Sequence, residues 1–281
     1  MPLTSTGVPE FAPEWLALRE GADAEARSAR AVEMVRDHGR VVADLGCGTG
    51  SLGRWLAPRL PGSGRWVLFD RDPALLALAR PTVPVGRVEA RLRDLGALGT
   101  ADLAGCTLVA ASALLDLLTR AEVETLAGAV VAAGCPALLT LSVVGRVELS
   151  PADPLDARVE RAFNDHQRRE GRLGPDSVAV AAEVFEGLGA RTHAFASPWR
   201  LGPRWAELTR EWLRGWVGAA ADQEPGLPVA GYLERRLAEC DEGRLRAVVH
   251  HTDLVVLPGA GGPVPQPGST DRARPQGVEP S

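Results

Sequence analysis

The sequence predicts an α/β protein built on a doubly wound, mostly parallel sheet with helices on both faces. Short apolar runs rich in β-branched residues alternate with segments of helical spacing, which is typical of a parallel sheet. A glycine-rich turn separates the first run from the helix after it. Acidic residues stand at or just beyond the ends of the first three runs: Asp44, Asp70 and Asp94. Because parallel strands place their carboxyl ends at one edge, that edge is the expected ligand site.

The first strand and its turn span Val41 to Gly50, with the sequence Val-Val-Ala-Asp-Leu-Gly-Cys-Gly-Thr-Gly. The alternate glycines allow positive φ and let a ligand lie against the backbone, and the following helix adds free N–H groups. The chain has no lysine, so a P-loop that cradles a pyrophosphate is excluded. Asp44 stands at the mouth of the turn instead, and its carboxylate suits a ligand that carries a positively charged amino group.

The second and third strands add further carboxylates to the same edge. A strand predicted from residue 65 ends in Asp70, and Asp72-Pro73 then opens a helix with an N-cap and a proline at its first position. Asp70 lies about twenty residues beyond the glycines, where a carboxylate can accept both ribose hydroxyls. The third strand, predicted over residues 88–92, ends at Arg93-Asp94-Leu95.

These motifs resemble the class I S-adenosylmethionine-dependent methyltransferases, and the resemblance covers roughly the middle half of the chain. Asp44-Leu-Gly-Cys-Gly-Thr-Gly is similar to the first motif of that family, and Asp70 and Asp94 follow in its order. The resemblance implies a seven-stranded sheet with a helical insertion between the last two strands, and S-adenosyl-L-methionine as cofactor. The cofactor-binding residues that it implies are Asp44, Gly46, Cys47, Gly48, Gly50, Asp70, Arg71, Asp94, Leu95 and Ala111.

Two other functions remain open at this point. Gly48-Thr-Gly50-Ser-Leu-Gly53 also satisfies G-x-G-x-x-G, the pattern of an NAD(P)-dependent Rossmann oxidoreductase. The commonest short-chain version of such an enzyme uses a Tyr–Lys pair, and this chain has no lysine. The second alternative is a non-catalytic binding protein that keeps the methyltransferase fold but lacks an open acceptor cavity.

Composition bears on the partners and the compartment. The formal net charge of −5 argues against a nucleic-acid partner bound through phosphates. Ala110-Ala111-Ser112-Ala113 also departs from the Asn/Asp-Pro-Pro-aromatic motif that amino-methylating nucleic-acid enzymes resembling this chain usually carry. The four cysteines are widely spaced, which predicts free thiols and no metal site. Without a signal pattern or a membrane-spanning stretch, the protein is expected to be cytoplasmic with no membrane partner.

The N-terminal region shows helical spacing from Phe11 to Asp37, and Gly39 closes it. By the resemblance, a leading helix of this kind covers the cofactor pocket, and Trp15 is a candidate substrate contact. Packing of Phe11 and Trp15 on the domain surface is the alternative. Residues 1–10 are expected to be loose.

The remaining strands are predicted at residues 106–111, 136–144, 191–196 and 244–257, with the last one antiparallel by the resemblance. Between them, Thr119-Arg-Ala-Glu122 forms a capping box that opens a helix. The predicted organisation is therefore a helical segment or lid at 1–38, a methyltransferase domain at 39–258 and a disordered tail at 259–281. Helical insertions are expected at about residues 151–175 and 203–240.

Candidate catalytic residues follow the fourth and fifth strands. If the resemblance holds, Ser112 and Asp116 fall near the transferable methyl group. Asp116 and His166 are candidate general bases, which are needed only if the acceptor is a neutral hydroxyl or a carbon acid. His166 lies in an arginine-rich helix, a pattern that is also typical of a solvated face.

The candidate acceptor contacts are Trp199 and Arg200, because Ser197-Pro-Trp199-Arg200 leaves a strand just before the tryptophan-bearing insertion. An aromatic face beside a guanidinium suits a planar anionic molecule. Alternatively, Trp199 packs under the insertion while Arg200 caps a helix or pairs with a glutamate. The spacing of Trp205, Trp212 and Trp216 favours core packing, with a substrate wall as the alternative. The acceptor is expected to be a small molecule; neither the attacking atom nor the oligomeric state follows from the sequence.

Overall fold

A computed structural model of the protein describes residues 12–259. The predictions for residues 1–10, for Phe11 and for the tail beyond residue 259 lie outside the described residues. The described strands are β1 Val41–Leu45, β2 Arg65–Asp70, β3 Arg87–Leu92, β4 Leu108–Ser112, β5 Ala137–Ser150, β6 Arg191–Ala196, β7 Trp199–Leu201 and β8 Arg246–Leu257. The described α-helices are α1 Pro13–Ala26, α2 Ala29–Val35, α3 Ser51–Leu56, α4 Pro73–Ala79, α5 Arg120–Ala132, α6 Asp156–Gln167, α7 Ser177–Gly187, α8 Ala206–Gln223 and α9 Val229–Asp241.

The strands form one sheet in the order β3-β2-β1-β4-β5-β8-β6, and β7 pairs with β8 beside this path. Strands β1 to β5 run parallel to one another, whereas β8 runs antiparallel to both β5 and β6. Helices α5 and α7 contribute to a buried apolar cluster on one face of the sheet, and α2, α3 and α4 contribute to a second cluster. The doubly wound, mostly parallel architecture with an antiparallel last strand is confirmed.

The sheet has eight strands within the described residues, one more than the sequence analysis predicted. The added strand is β7, whose residues Trp199 to Leu201 pair with Val249 to Ala247 at the start of β8. Pro198 separates β7 from β6 because proline has no N–H to donate to the ladder. One continuous edge is thereby split into two short strands that pair with successive halves of β8.

Strand β5 is also longer than the predicted segment, which ended at Val144. It continues to Ser150 and pairs with the first half of β8 through irregularities between Leu139 and Ser142 and between Val143 and Val147. Leu141 and Gly145 have positive φ values of 56° and 71° at these points. The bulges hide the extension from the sequence pattern, because each extra residue breaks the alternation of a strand.

The N-terminal helical pattern is divided into α1 and α2 rather than continuous. The hydroxyl of Ser28 accepts from the N–H of Ala31 at 3.3 Å, and the N–H of Ser28 donates to Asp253 Oδ2 at 2.7 Å. Ser28 is therefore the N-cap of α2, and an extended N-cap ends the preceding helix.

The helices of the two insertions share a third apolar cluster. Helix α6 from the first insertion packs with α8 and α9 from the second, and Trp199 of β7 lies among them. The helical insertion between the last two strands is thus as predicted, and it forms a wall over the extended parts of β5 and β8.

All four cysteines are buried and unpaired, as the sequence predicted: Cys47, Cys106, Cys135 and Cys240. Over residues 12–259, no cluster of three or more His, Cys, Asp or Glu residues suits a metal ion. None of the helices in this same range is both long enough and apolar enough to cross a bilayer.

Candidate active site

The glycine turn between β1 and α3 lies at the carboxyl edge of the sheet. Gly46, Gly48 and Gly50 have φ values of 64°, 53° and 85°, a region that side chains other than glycine rarely adopt. The N–H of Cys47 donates to the carbonyl oxygen of Phe69 at 3.0 Å, which fixes the turn to β2. The backbone of the turn therefore follows a course that the three glycines make possible.

Asp70 ties this turn to the next one. Its Oδ2 accepts from the N–H of Gly48 at 2.9 Å, and its Oδ1 accepts from the N–H of Asp72 at 3.0 Å. Asp72 in turn caps α4 by accepting from the N–H groups of Ala74 and Leu75. A carboxylate oxygen has a second lone pair, so Asp70 can accept from ligand hydroxyls while it holds both turns.

Asp44 is the most unusual group at this edge. Its side chain is buried, and neither carboxylate oxygen has a hydrogen-bond partner. Burial is the main cause that raises the pKa of Asp44 to about 7; Arg27 opposes the rise and Asp70 adds to it. Because an unpartnered buried carboxylate is costly, a cationic ligand group that bonds to Asp44 would be stabilising.

These residues line a first cavity of about 350 Å³. Eight of the ten residues expected to bind a cofactor line it: Asp44, Gly46, Cys47, Gly48, Asp70, Arg71, Asp94 and Leu95. The structure does not bring Gly50 and Ala111 to this cavity. A Cβ on Gly50 would meet Ala79 of α4 at 3.2 Å, and Ala111 of β4 is buried in the first apolar cluster.

Helix α1 contributes residues that the sequence analysis did not single out. Leu16, Arg19 and Asp23 line the first cavity, and Arg19 Nε donates to Asp23 Oδ2 at 3.0 Å. The guanidinium of Arg19 also lies 5.0 Å from the ring centre of Trp199. The sequence contains one indication of the pair of Arg19 and Asp23, because a spacing of i, i+4 on a helix brings two side chains together.

A second cavity of about 370 Å³ lies beside the first and shares Arg19, Ala113 and Leu117 with it. Its aromatic lining consists of Trp15, Phe163, Trp199, Trp212 and Trp216. The rings of Trp212 and Trp216 stack at 5.2 Å with 17° between their planes. These two tryptophans belong both to the apolar cluster of the insertion and to the cavity wall. Core packing of the tryptophan stripe is therefore confirmed, and a substrate wall stays a prediction.

Three residues of the second cavity carry a buried polar atom without a hydrogen-bond partner: Asp116 Oδ1, Trp216 Nε1 and His251 Nδ1. Burial raises the pKa of Asp116 to about 6, opposed by a backbone hydrogen bond and by Arg19. Burial is the main cause that lowers the pKa of His251 to about 3, and the charge of Arg19 contributes to the lowering. His251 is therefore neutral near pH 7. The sequence analysis did not select His251, although Val249, His251 and Asp253 are every second residue of β8 and all three are buried.

Most of the residues predicted to lie at the methyl acceptor are divided between the two cavities. Trp15, Asp116 and Trp199 line the second cavity, whereas Ser112 lines the first and its hydroxyl accepts from Arg27 Nη2 at 3.0 Å. Asp116 is therefore the candidate base that the structure places at a cavity.

His166 and Arg200 lie elsewhere. His166 is half-buried on α6, where burial and Arg169 lower its pKa, and it lines neither cavity. Arg200 follows Trp199 in a strand, so the two side chains point to opposite faces. Trp199 is buried against the insertion while Arg200 is exposed in a surface groove with Arg246. The expected pair of Trp199 and Arg200 at one acceptor is therefore wrong.

Comparison with known proteins gives a match for one segment of the chain. Residues 42–133 match the family model of a methyltransferase domain, a segment that runs from β1 to the end of α5. No curated protein matches the chain. The match does not extend to the insertions, so it covers most of the first cavity but only Ala113, Asp116 and Leu117 of the second.

Solved structures with similar folds include a methyltransferase from Geobacter sulfurreducens in complex with S-adenosyl-L-homocysteine, at 15% identity and a TM-score of 0.45, covering 88% of this chain and 98% of that one. A cyclopropane synthase from Mycobacterium tuberculosis has 13% identity and a TM-score of 0.47, covering 81% of this chain and 82% of that one. A phosphoethanolamine N-methyltransferase from Haemonchus contortus has 13% identity and a TM-score of 0.48, covering 89% of this chain and 58% of that one.

The nicotinamide alternative raised by the G-x-G-x-x-G pattern gains no support from these comparisons. The family match covers the glycine turn, Asp44, Asp70 and Asp94 together. Over residues 42–133, about a third of its length, the chain is therefore similar to a methyltransferase domain.

Proposed function

We propose that the protein methylates a small molecule held in the second cavity, with the cofactor held in the first. The observation that carries this proposal is the junction of the two cavities at Arg19, Ala113 and Leu117. A methyltransferase must bring two ligands into contact in line, and two adjacent cavities with a shared wall are the arrangement that this needs.

The residues of the first cavity fit the cofactor. The unpartnered carboxylate of Asp44 suits the amino group of S-adenosylmethionine, and Asp70 has lone pairs left for the ribose hydroxyls. Asp94 and Leu95 lie at the same cavity, where we assign them to the adenine. When bound, S-adenosylmethionine supplies an activated methyl group on a sulfonium, so these side chains need only bind and orient it.

The second cavity supports an enzyme rather than a non-catalytic binding protein. A binding protein that merely kept the fold would not need an open cavity beside the cofactor residues, and this one is about 370 Å³ and largely apolar in its lining residues. That volume lies within the range of ligand pockets, about 300–1,000 Å³. The net charge of −5 disfavours nucleic acid as the acceptor, and four unpaired cysteines favour a reducing compartment such as the cytoplasm.

The test uses two glycines on α8. Gly215 lines the second cavity and Gly218 does not, and a Cβ at either position meets no atom within 4 Å. Gly215→Phe is therefore expected to narrow the second cavity without disturbing the fold, and Gly218→Phe is its matched control. Both variants are expected to bind S-adenosylhomocysteine as the parent does, measured by calorimetry.

Transfer of a labelled methyl group to a small-molecule extract is then followed for all three proteins. We expect the parent and Gly218→Phe to label small molecules and Gly215→Phe to lose at least 90% of that activity, about 1.4 kcal/mol or more. Failure of the parent to bind S-adenosylhomocysteine would remove the basis of the proposal. Equal labelling by Gly215→Phe would place the acceptor outside the second cavity.

A further inference from the structure

The second cavity contains polar atoms that the protein itself leaves without partners. Asp116 Oδ1 and Trp216 Nε1 are buried, belong to residues that line the cavity, and make no hydrogen bond. Buried polar atoms in folded proteins are nearly always hydrogen-bonded, so these two atoms, which lie at the same cavity as the unpartnered His251 Nδ1, call for an explanation. A ligand that bonds to both is the explanation that also accounts for the cavity.

The chemistry of the two atoms defines what such a ligand must offer. An indole N–H can only donate, so Trp216 requires an acceptor atom on the ligand. An ionised carboxylate can only accept, so Asp116 requires a donor. The ligand must therefore carry a hydroxyl or N–H at one position and an oxygen or nitrogen acceptor at another.

The charges around the cavity disfavour a cationic ligand. Arg19 already lies over the rings of Trp199 and Trp15, at 5.0 Å and 6.0 Å from their centres. Arg19 is itself paired with Asp23, which also contacts Arg27. A second cation at these rings would meet the guanidinium of Arg19 instead of a free aromatic face.

An anionic ligand is disfavoured by Asp116 itself, a buried carboxylate without an ion-pair partner among the described residues. The charged residues nearer solvent are already paired. Arg146 and His250 both contact Glu148, at 2.5 Å and 3.0 Å, and Glu211 contacts Arg214 at 3.3 Å. The lining residues thus leave Asp116 as the charge available to the acceptor.

We infer that the methyl acceptor is an uncharged, flat, hydroxylated aromatic compound with a second oxygen, its hydroxyl bonded to Asp116 and the second oxygen bonded to Trp216. Flatness follows from the tryptophan walls, since aromatic ligands stack on or meet indole edges with little loss of side-chain freedom. This inference rests on the proposed function, because it assigns the acceptor of that same site.

Asp116 then acts as the catalytic base. Its carboxylate takes the proton of the acceptor hydroxyl while the hydroxyl oxygen forms a bond to the methyl carbon. The carbon–sulfur bond breaks, and its electron pair stays on sulfur, which becomes a neutral thioether. Asp116 afterwards returns the proton to water. A base with a pKa of about 6 is mostly ionised at pH 7 and suits this task.

The binding test uses protein saturated with S-adenosylhomocysteine and four probes of similar size: umbelliferone, its methyl ether, tryptamine and indole acetate. Umbelliferone is a flat, uncharged compound with one hydroxyl and a carbonyl, and the methyl ether lacks the donor. Tryptamine and indole acetate represent a cation and an anion. We expect umbelliferone to bind at least tenfold more tightly than each of the other three, measured by calorimetry.

Two variants separate the hydrogen bond from simple packing. Trp216→Phe removes the unpartnered N–H, whereas Trp212→Phe shortens the other ring of the same stacked pair, whose nitrogen is not among the buried unpartnered atoms. We expect Trp216→Phe to weaken umbelliferone binding about five- to tenfold, the loss of one hydrogen bond. Trp212→Phe is expected to weaken it by about twofold or less.

Asp116→Asn tests the base separately from binding. The amide oxygen still accepts from a hydroxyl, so umbelliferone binding is expected to stay within about threefold of the parent. Methyl transfer to a hydroxylated acceptor is expected to fall about a hundredfold, and the fall in rate on the acid side near pH 6 is expected to disappear.

The outcomes are distinct. Tighter binding of tryptamine or indole acetate than of umbelliferone, or equal losses in the two tryptophan variants, would overturn the assigned acceptor. So would the absence of umbelliferone binding to protein that demonstrably holds S-adenosylhomocysteine. Loss of S-adenosylhomocysteine binding in the parent would instead remove the proposed function on which the inference rests.

Discussion

The indole nitrogen of Trp199 donates to Asp23 Oδ1 at 2.9 Å, and both side chains are buried. Asp23 lies on α1 and lines the first cavity, whereas Trp199 lies on β7 and lines the second. One hydrogen bond therefore joins the helix beside the cofactor residues to the strand beside the tryptophans. The shape of each cavity therefore depends on the shape of the other through this contact.

Loss of this hydrogen bond is expected to destabilise the fold. Trp199→Phe keeps most of the ring but removes the N–H, and we expect the free energy of unfolding to fall by about 1–3 kcal/mol because Asp23 stays buried. Asp23 also contacts Arg19 and Arg27, so a double-mutant cycle with Asp23→Ala isolates the pairwise energy. A coupling energy of zero in urea denaturation would show that the contact contributes nothing.

Cofactor binding is expected to weaken in acid because of Asp44. The pKa of Asp44 is raised to about 7, so the carboxylate becomes protonated as the pH falls below 7 and can no longer attract a cationic amino group. We expect the affinity for S-adenosylhomocysteine to be about tenfold lower at pH 6 than at pH 8. Asp44→Asn is the control, since an amide does not titrate: it should bind weakly at both pH values. A parent affinity that does not change with pH would separate Asp44 from the amino group.

Asp70→Asn is expected to weaken binding of S-adenosylhomocysteine by about 1.5–3 kcal/mol. The carboxylate accepts from two backbone N–H groups, and an amide has only one oxygen to accept with, so the turn at Gly48 loses its alignment as well as a ribose contact. Asp72→Asn is the matched control. It lies two residues away as the N-cap of α4, where asparagine caps equally well, and calorimetry should show little change.

The sequence predicted the part of the site whose residues are placed by their positions along the chain. Glycines at alternate positions and carboxylates at strand ends specify a turn and an edge, and the structure brings eight of ten such residues to the first cavity. Each of these residues is placed by the strand or turn that contains it. Knowledge of long-range packing is not needed to bring them together.

The second cavity could not be predicted in this way, because it is made by packing between distant segments. Trp15, Trp199 and Trp216 come from a helix, a three-residue strand and an insertion. His251 reaches the cavity only because β5 extends through bulges to pair with the first half of β8. Spacing along the chain gives no measure of these contacts, and it does not show which face of β7 is buried.

Arg200 shows the consequence for a prediction. Because Arg200 is exposed in a groove on the far side of β7 from Trp199, Arg200→Ala is expected to leave methyl transfer and S-adenosylhomocysteine affinity within about twofold of the parent. Trp199→Ala, which opens the wall of the second cavity, is the contrasting variant. A tenfold loss of turnover in Arg200→Ala, with unchanged stability, would restore the arginine to the acceptor site.

The last prediction concerns acid stability and His251. Burial lowers the pKa of His251 to about 3 in the folded protein, against an ordinary value of 6.5. Between these values the unfolded chain binds more protons than the folded one, so this contribution to stability is present above pH 6.5 and is lost as the pH falls. At pH 5 the loss amounts to about 2 kcal/mol.

Asp44 and Asp116 act in the opposite direction, because their folded pKa values are raised and protonation in acid favours the folded state. The pH dependence of the parent's stability therefore contains contributions of opposite sign. The quantity to measure is the difference in the free energy of unfolding between parent and variant. His251→Gln removes the histidine contribution, and the stability difference between variant and parent should move by about 2 kcal/mol in favour of the variant from pH 7.5 to pH 5. His250→Gln is the matched control for the substitution itself, at the neighbouring half-exposed position that contacts Glu148. Parallel pH curves for parent and His251→Gln in urea denaturation would show that His251 is not held neutral by burial.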